Sequence, residues 1–521
     1  MKLLYKVILT YICLLLFGIQ CGGYKILAVF PIPAGSHRIL GNGVVNHLLN
    51  AGHEVTYITP FPENKTVPNL RYIPVIDNIG HINDALINIK NLMTRHIEMD
   101  QEIVFNMMMN LTQNTLKNNN VSKLLNDPTE NFDLVIAQWT FNEVFSGVAA
   151  AFNCPYIWFF PYEPSFVSLG LIDEATNPAY TANIEMRDIP PFTFWQRFKV
   201  LKFQISKIWR NYFYHRHIEK EVFDNTFKPI LTRKNKTLPP YEELRLNASL
   251  IFGNYHVSMG QAIRLPQNYI PIGGQHIDEV VPVLPKDLKK IMDEATNGVI
   301  YFSMGSNLKS KDLPDSIKQA LLKIFNGLNQ TIIWKFEEPI PNLPQNVHIL
   351  KWAPQLSILS HPNCILLISH GGLLSMNEAI HFGVPLISIP VFYDHLYNAD
   401  KSVSRGIGVK VDLTDNLAHD LKLAIHEMLN NPMYRERMKE ASFIYHHRLA
   451  PPGKVLVHWV EHVIATRGAL HLRSPALLIP WYQKMYLDLA LLLSVGLVLI
   501  SWILRKLYYL KSQYKVKAKL L

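Results

Sequence analysis

The residues best suited to chemistry in this 521-residue sequence lie around a glycine turn, His370-Gly371-Gly372. An apolar, β-branched run precedes the turn at residues 365–369, and a helical pattern follows it at residues 373–382. Backbone N–H groups at a helix start lack partners and favour an anion by ~0.3–1 kcal/mol. The turn therefore predicts a phosphate site, to which the His370 side chain can add a donor.

Other polar and aromatic residues near this turn suit the remaining parts of a nucleotide sugar. Ser375 can add a second hydroxyl donor, and Glu378, three residues further on nearly the same helix face, can accept hydroxyl hydrogen bonds. Trp352 could stack on a flat base, although a lone Trp before Pro is more often a core residue. Asp394 and His395 follow a second buried run and could hold a polyol. Together they suggest a nucleotide-sugar site.

Two α/β halves must position these residues. In the C-terminal half, strand, glycine turn, helix and a second strand at residues 386–389 form a βαβ unit, with its ligand crevice at the strands' carboxyl ends. In the N-terminal half, residues 24–30, 39–49 and 53–59 predict a second such unit. The dinucleotide fingerprint is absent after the first strand.

The sequence resembles the UDP-glycosyltransferases, in their animal, insect-like and membrane-anchored form, from a leader peptide to a C-terminal anchor. The matching residues are Trp352, Pro354-Gln355, His361-Pro362, Ser369-His370-Gly371-Gly372, Glu378-Ala379, Gly383-Val384-Pro385 and Asp394. The resemblance implies the α/β GT-B architecture, in which two Rossmann-like domains face each other across a cleft. A C-terminal transmembrane helix is implied as well.

The resemblance also implies roles for individual residues. It assigns Trp352 to stacking on uracil, Gln355 and Glu378 to the ribose, and His370 and Ser375 to the diphosphate. The loop after the predicted strand at residues 298–302 also resembles the family. Its Ser303, Gly305 and Ser306 would offer hydroxyl and backbone N–H groups to the diphosphate.

Two positions depart from the family pattern. Leu374 stands where many relatives have Asn near the phosphate, and His395 stands where Gln usually meets the sugar hydroxyls. We expect UDP-glucose as the donor, while His395 leaves galactose open. Glucuronate would need a cation near its carboxylate, and the sequence places none.

His37 is the predicted catalytic base. It ends the loop 31–37 after the first strand, and it matches the family's histidine that deprotonates the acceptor hydroxyl. Imidazole suits this task because its ordinary pKa lies near neutrality, a contribution of roughly 10²–10⁴ in rate. The family's animal members have an orienting Asp where this chain has Gln138, which carries no charge, and Glu143 could substitute.

These features predict an inverting transfer of a hexose to a small lipophilic alcohol or phenol, such as a hormone, pigment, dietary toxin or xenobiotic. We expect no cofactor besides the UDP-sugar co-substrate, and no metal, since no Asp-x-Asp motif is visible. Two alternatives stay open. One is a glycosyltransferase for lipid or protein acceptors, and the other is a binding or scaffold protein in which Gln138 marks lost catalysis.

Both chain ends predict targeting to the secretory pathway. Residues 1–23 resemble a cleaved signal peptide, and residues 485–504 are apolar enough to span a bilayer. Six basic residues and no acid follow in the tail 505–521, so the positive-inside rule puts the tail in the cytosol. Lys517 and Lys519 resemble a di-lysine signal. We therefore expect a type I endoplasmic reticulum membrane protein with a lumenal body.

The net charge and the cysteine content restrict the kinds of partner and of covalent cross-link that this chain can have. Of the formal charge of +10, the leader carries +2 and the tail +6, which leaves about +2 on the body, so no nucleic-acid partner is implied. Cys154 and Cys364, the cysteines outside the leader, are expected to be buried free thiols. The sequence leaves a homo-oligomer open. Glycosylation sequons consistent with a lumenal body begin at Asn64, Asn110, Asn120, Asn235, Asn247 and Asn329.

The predicted domain order has an acceptor-binding domain at 24–265, a linker at 266–290 and a UDP-sugar-binding domain at 291–450. Return helices at 451–484 lead to the span, and a helix at 455–466 is expected to cross back to the first domain. Residues 177–230 interleave aromatic and basic side chains. This stretch is either an amphipathic element that dips into a bilayer or an ordinary helical subdomain.

Overall fold

The computed structural model describes residues 23–81, 93, 101–186, 188–259, 262–277, 280–306, 308–391 and 393–517, with side chains to residue 513. These residues form two compact units that divide between Leu472 and Arg473. Apart from Gly23, the predicted signal peptide lies outside the described residues, as does Lys519 of the tail.

The N-terminal lobe of the first unit is built on a fully parallel sheet of seven strands. The strands are β1 (Lys25–Val29), β2 (Glu54–Thr59), β3 (Leu70–Pro74), β4 (Leu134–Gln138), β5 (Tyr156–Phe160), β6 (Leu250–Gly253) and β7 (Tyr269–Pro271). Their order in the sheet is β3-β2-β1-β4-β5-β6-β7. The central strands are apolar along their whole length because helices cover both faces of the sheet.

The helices of this lobe follow the strands in βαβ order. They are α1 (Gly35–Asn50), α2 (Gln101–Lys117), α3 (Asn119–Asn126), α4 (Ser146–Phe152), α5 (Phe166–Gly170), α6 (Phe194–Arg210), α7 (Arg216–Arg233) and α8 (Tyr241–Leu244). Helix α1 buries Leu40, Val44 and Leu48 on one face of the sheet. Helices α2, α3, α4 and α7 cover the other face. Short helical turns occur at Ile76–His81 and, in π form, at Asn211–His215.

The C-terminal lobe repeats this plan with six parallel strands. The strands are β8 (Val299–Ser303), β9 (Thr331–Lys335), β10 (Val347–Leu350), β11 (Cys364–Ser369), β12 (Leu386–Ser388) and β13 (Gly408–Lys410). Their order is β10-β9-β8-β11-β12-β13. The helices are α9 (Lys286–Glu294), α10 (Asp315–Asn326), α11 (Gln355–Leu359), α12 (Leu373–Phe382), α13 (Asp394–Ser404), α14 (Leu417–Asn430) and α15 (Met433–His446).

Strand order reverses once in each sheet, and the reversals locate the predicted chemistry. In a parallel sheet, ligands bind outside the carboxyl ends of the strands where the order reverses. In the first sheet this point lies between β1 and β4, which carry the approaches to His37 and Gln138. In the second sheet it lies between β8 and β11, which precede Ser306 and His370. The two predicted half-sites thus occupy the two switch points.

The chain then returns to the first lobe. Helix α16 (Pro452–Ala465) packs Leu456, Val460 and Val463 into the same core as β1 and α1. This confirms the expected crossing helix. The predicted linker is more structured than expected, because β7 joins the first sheet from residue 269 and α9 begins at Lys286.

Three further differences from the sequence predictions concern short or amphipathic elements. Strand β3 was not predicted, because its residues are only half-buried and form the sheet's edge. Helices α2 and α3 were not predicted either, although they bury Phe105, Met109 and Leu124. Lastly, α1 begins at Gly35, so His37 lies in the first turn of this helix rather than in a loop.

The second unit, considered by itself, consists of short turns followed by one long helix. The turns include α17 (Trp481–Lys484), and the long helix is α18 (Leu487–Lys517). Its segment Leu487–Gln513 is long and apolar enough to cross a membrane, and its most apolar window of 18 residues has a mean hydropathy of 2.4. The helix continues well past residue 504, where the predicted span ended.

A buried ion pair ties the two lobes of the first unit together. Lys401 Nζ on α13 lies 2.5 and 2.6 Å from the two carboxylate oxygens of Glu163, which follows β5. Both side chains are only 3% exposed. A charge taken out of water needs a close partner, so each of these residues depends on the other across the lobe boundary.

We expect Glu163→Gln to lower stability by roughly 3–5 kcal/mol, because it leaves the Lys401 ammonium buried without a carboxylate. The readout is the thermal denaturation midpoint. The double variant Glu163→Leu/Lys401→Met should recover much of the loss. Glu440→Gln is the matched control, because its pair with Arg437 is more than half exposed, and we expect it to change little. Equal midpoints for Glu163→Gln and Glu440→Gln would contradict the prediction.

Candidate functional site

Two backbone loops of the C-terminal lobe form the candidate anion-binding cradle. After β8, Gly305 takes a φ of 85° and donates its N–H to Ser303 Oγ. After β11, Gly371 takes a φ of 79° and donates its N–H to Ser369 Oγ. Positive φ at both turns requires glycine. Helix α12 begins directly after Gly372, and no side chain caps it. Its first N–H groups therefore remain available for an anion.

The His370 ring lies between these two loops. A Cβ added at Gly305 or at Gly372 would come within 2.4 Å of the His370 ring, so glycine at both positions makes room for the imidazole. Burial, assisted by the nearby Lys335 charge, lowers the pKa of His370 to about 4. Its Nδ1 is buried without a hydrogen-bond partner among the described residues. A neutral His370 can therefore donate one N–H to a diphosphate oxygen.

Gln355 of α11 meets Ser375 and Glu378 on one face of α12. Gln355 Nε2 lies 3.0 Å from Ser375 Oγ and also donates to Glu378 Oε2. The other Glu378 oxygen lies 3.2 Å from His276 Nε2. Glu378 is 4% exposed, so its carboxylate is oriented by fixed neighbours. This arrangement can accept hydrogen bonds from vicinal hydroxyls.

Trp352 stands at the rim of this group, three residues before Gln355. It is 67% exposed, although a tryptophan ring is a large apolar surface. The alternative that it is a core residue is therefore wrong. An exposed, flat ring at the mouth of a site is a suitable stacking surface for a base.

Asp394 and His395 begin α13, directly after β12 and its loop. Burial is the main cause that raises the pKa of Asp394 to about 6, although a hydrogen bond from Asn398 opposes the shift. His395 is 8% exposed, and its ring centre lies 4.5 Å from that of His370. Burial lowers the pKa of His395 well below its ordinary value, and the His370 ring lowers it further. Hence Asp394 and His395 lie next to the cradle, on the side of the loop after β11.

In the N-terminal lobe, His37 contacts Gln138 across the switch point of the first sheet. The side-chain amide of Gln138 reaches Nδ1 of His37 from the last residue of β4. The ring of His37 is partly buried, and burial lowers its pKa to about 4. The predicted pair of base and orienting residue is thus brought together, with no charge on the orienting residue.

Glu143 lies elsewhere, so its predicted role beside His37 is wrong. Its Oε1 accepts a hydrogen bond of 3.0 Å from Trp139 Nε1, and its Oε2 lies 3.7 Å from Arg245 Nη1. Glu143 is 4% exposed in a buried cluster with Glu219. The helix that was expected to turn it toward His37 begins only at Ser146, and Glu143 instead balances Arg245.

The two half-sites approach each other at Gly35. A Cβ at this glycine would lie 2.7 Å from Ser306 Cβ, so the start of α1 meets the loop after β8. His37 is two residues further along α1. The histidine is therefore held beside the anion-binding cradle, and glycine at position 35 permits this approach.

Sequence reasoning missed three residues that support the cradle. Lys335 Nζ, at the end of β9, lies 2.9 Å from Gly305 O and 2.9 Å from Glu337 Oε1. Asn398 Nδ2 donates to Gly371 O at 3.1 Å and to Asp394. His276 reaches Glu378 from outside the lobe. Of these three residues, only Lys335 could have been found from the sequence, because it is a charged residue in the apolar run of β9. The contacts of Asn398 and His276 depend on tertiary packing.

An apolar cluster, here called the apolar wall, includes Ile32 and Ala34, which directly precede the helix that carries His37. Phe141 packs with Ile32, Ala34 and Met108, and its ring centre lies 5.7 Å from that of Tyr393. Phe141 and Tyr393 have φ of 58° and 53°, which side-chain-bearing residues rarely adopt. Such strain occurs at binding sites, where the surroundings enforce it. The wall joins the loop after β4 to the loop after β12.

Two doubly wound parallel sheets, each with a candidate half-site at its switch point, define the GT-B architecture. Among solved structures, the glycotransferase of kitacinnamycin superposes with a TM-score of 0.55 at 14% identity, covering 85% of this chain and 99% of that chain. At this identity the likeness shows the fold alone.

Sequence comparisons are more specific. A family model described as "UDP-glucoronosyl and UDP-glucosyl transferase" matches residues 25–520. The chain is 34% identical over 474 residues to UDP-glucosyltransferase 2 of Dactylopius coccus, covering 91% of this chain and 90% of that protein. It is 24% identical over 503 residues to UDP-glucuronosyltransferase 2B15 of Homo sapiens, covering 90% of each. The chain belongs to this family of UDP-glycosyltransferases, which transfer a sugar from a UDP-sugar.

We expect Asp394→Asn to raise stability at about pH 7.5 by on the order of 2 kcal/mol. The pKa of Asp394 in the folded chain, about 6, exceeds its ordinary value of 3.8, so the unfolded chain releases the proton first as the pH rises. The cost in folding free energy of the native Asp394 is absent below about pH 4, grows between about pH 4 and 6, and is fully present above about pH 6. Thermal midpoints across this range measure it. A gain equally large at about pH 4 would contradict the assignment.

Proposed function

We propose that this enzyme transfers a hexose, glucose in the first instance, from a UDP-sugar to the hydroxyl of a small lipophilic acceptor with inversion, and that His37 is the general base. The observation that carries the proposal is the approach of Gly35 to Ser306, which brings the helix bearing His37 against the anion-binding cradle. A base and a leaving-group site must flank the anomeric carbon from opposite sides.

The cradle is suited to the charge that develops on the leaving UDP. The uncapped start of α12 after Gly371-Gly372 and the His370 ring offer backbone and side-chain donors that are fixed before the reaction. The turns themselves are held in place because Gly305 and Gly371 donate their N–H groups to Ser303 and Ser369. Ser306 follows in the loop after β8. Preorganised donors in a water-poor site stabilise a developing anion strongly. Lys335 adds a positive charge behind Gly305. In the family's pattern, Trp352, Gln355 and Glu378 would hold uracil and ribose.

Gln138 determines how His37 can act. In the present rotamer its Nε2 faces His37 Nδ1, and its Oε1 is buried without a partner among the described residues. Turning the amide over would let Oε1 accept Nδ1–H, which satisfies that oxygen and leaves the Nε2 lone pair of His37 free. His37 Nε2 would then take the acceptor's proton. An amide orients the ring in this way but, unlike a carboxylate, does not stabilise the imidazolium.

The donor assignment depends on Asp394 and His395, which adjoin the phosphate loops. A buried carboxylate and a neutral imidazole can accept and donate hydrogen bonds to sugar hydroxyls. The relative from Dactylopius coccus is named as a glucosyltransferase, which supports glucose. Galactose remains a second candidate because His395 stands where the family has Gln.

The apolar wall supports a lipophilic acceptor. Ile32, Ala34, Met108 and Phe141 pack together, and no charged side chain is among these residues. Ile32 and Ala34 directly precede the helix that carries His37. A flat phenol can pack on Phe141 with its hydroxyl directed at His37. Acceptors of this chemistry include hormones, pigments and xenobiotics, so detoxification is a role that the wall would suit.

The segment Leu487–Gln513 supports a membrane anchor. With the basic residues of the tail, we propose a type I protein of the endoplasmic reticulum whose catalytic body is lumenal. The predicted leader and the sequons agree with that placement.

The test of function is turnover by the full chain with a panel of UDP-sugars and mixed phenols. We expect His37→Ala to lower transfer at least about 100-fold while UDP affinity is retained, because His37 acts on the acceptor. Equal turnover by His37→Ala would disprove the base. No turnover with any donor and acceptor would favour the scaffold alternative instead.

The pH profile tests the partner of His37. The parent rate should rise through about pH 4 and stay level above it, following the low pKa of His37. Gln138→Asp should raise the pKa of His37 by roughly 1–3, so the acid limb of the profile, where the rate rises with pH, moves toward neutrality. The plateau rate above this limb should increase about tenfold. Glu143→Gln is the control and should leave the limb in place. A limb that moves in Glu143→Gln but not in Gln138→Asp would restore Glu143 as the partner.

The acceptor wall is tested by Phe141→Ala. Loss of one stacking ring costs ~0.5–1.5 kcal/mol, so the KM for 1-naphthol should rise roughly three- to tenfold with little change in kcat. Phe443→Ala, at a 69% exposed position on α15, is the matched control. An unchanged KM in Phe141→Ala would exclude this wall from acceptor binding.

A further inference from the structure

Helix α6 presents an apolar face to solvent. Its exposed large side chains recur at alternate spacings of four and three residues, which places them in one stripe. The stripe consists of Phe194, Phe198, Leu201, Ile205, Ile208 and Tyr212. Trp195 and Trp209 flank it and are 73% and 60% exposed. An apolar patch of this kind, unlike scattered surface residues, marks an interaction surface.

The opposite side of α6 fixes this face in place. Val200 and Gln204 are buried, and Gln204 Nε2 donates to Thr176. Lys207 pairs with Glu185, and Thr193 closes a capping box with Gln196 at the helix start. The exposed face is thus carried by a helix that is capped at its start and held to the lobe by Val200, Gln204 and Lys207.

The charge of α6 identifies the partner as an anionic surface. The helix contains five basic residues and no Asp or Glu. Lys199 and Lys207 are paired with Asp188 and Glu185, whereas Arg197 and Lys202 are exposed beside the stripe without an acid among the described residues. Aromatic side chains with lysine and arginine at their border match the boundary between acyl chains and phosphate headgroups.

A short connection limits how far the first unit can move from an inserted α18. Residues 473–486 connect the first unit to the segment that begins at Leu487. Fully extended, such a connection reaches roughly 50 Å, so a body tethered by an inserted α18 stays within that distance of the lipid. A surface with weak affinity for lipid would then be occupied because its effective concentration is high.

We propose that the exposed stripe of α6 docks on a phospholipid bilayer, with its aromatic rings at the depth of the headgroup–acyl boundary and Arg197 and Lys202 on lipid phosphates. The proposal rests on the membrane anchor proposed above and adds a second, peripheral contact made by the catalytic body. The source of the contact is a lipid surface, not a free anion, because the apolar stripe needs acyl chains to cover it.

The experiment uses the full chain with a single fluorescent label. Trp209→Cys, Leu423→Cys and Leu492→Cys are labelled with NBD and reconstituted in phosphatidylcholine–phosphatidylserine vesicles that carry doxyl groups on the acyl chains. Leu423 is the matched control, an isolated apolar residue on α14 that is 58% exposed. Leu492, within the proposed span, reports on the anchor. Native Cys364 is buried and Cys154 is partly buried, so the unlabelled parent serves as the blank.

Docking predicts that doxyl lipids quench the labels at 209 and 492 by at least about twofold and leave the label at 423 unchanged. Lys202→Glu should weaken the quenching at 209 but not at 492. Quenching at 492 alone would overturn the docking while the anchor stands. Absence of quenching at both positions would overturn both proposals. A blue shift at 209 without quenching would show that protein, such as a second copy of the chain, covers the face.

Discussion

The structure depends on one constraint, which is the contact between the carboxyl ends of two parallel sheets. Each sheet reverses its strand order once, and the loops on either side of the reversal face the other lobe. Gly35 lies against Ser306 at this boundary, where even one added methyl group would collide. His37 stands in the first turn of α1, two residues after this contact, and so lies on the part of the first lobe that meets the loop after β8.

The same boundary carries buried charges that are costly unless paired. Glu163 and Lys401 hold each other across it, and Glu378 is fixed by Gln355 on one side and His276 on the other. Desolvation makes such groups sensitive to their partners, so they specify how the lobes meet more than they add stability. Asp394 lies in the same region, and burial raises its pKa to about 6. Its charged form therefore lowers the stability of the fold at neutral pH, as is common for residues kept for function, and the proposed function of Asp394 is to bind the sugar.

The sequence predicted the GT-B fold and most central strands, because fully buried parallel strands are continuous apolar runs whose pattern needs no tertiary information. Helical spacing placed Ser375 and Glu378 on one face of α12, and the family resemblance added Gln355 from α11; the three side chains are hydrogen-bonded to one another. It could not predict the edge strand β3, whose half-buried residues lack a distinctive pattern. Glu143 was misplaced because its direction depends on Arg245, about one hundred residues away in the chain, a contact that no local pattern reveals.

The loss of a carboxylate beside His37 has a physical consequence for the whole site. In a buried setting, an orienting Asp would raise the pKa of the imidazole and stabilise the imidazolium formed when the acceptor's proton arrives. Gln138 supplies orientation only, and burial holds the pKa of His37 near 4. In the proposed mechanism, more of the barrier must therefore be lowered at the leaving group, on the side of the helix start of α12, His370 and Lys335. Phenols, whose protons are more acidic than those of alcohols, suit a weak base of this kind, so the chemistry of His37 and the apolar wall at Phe141 favour the same class of acceptor.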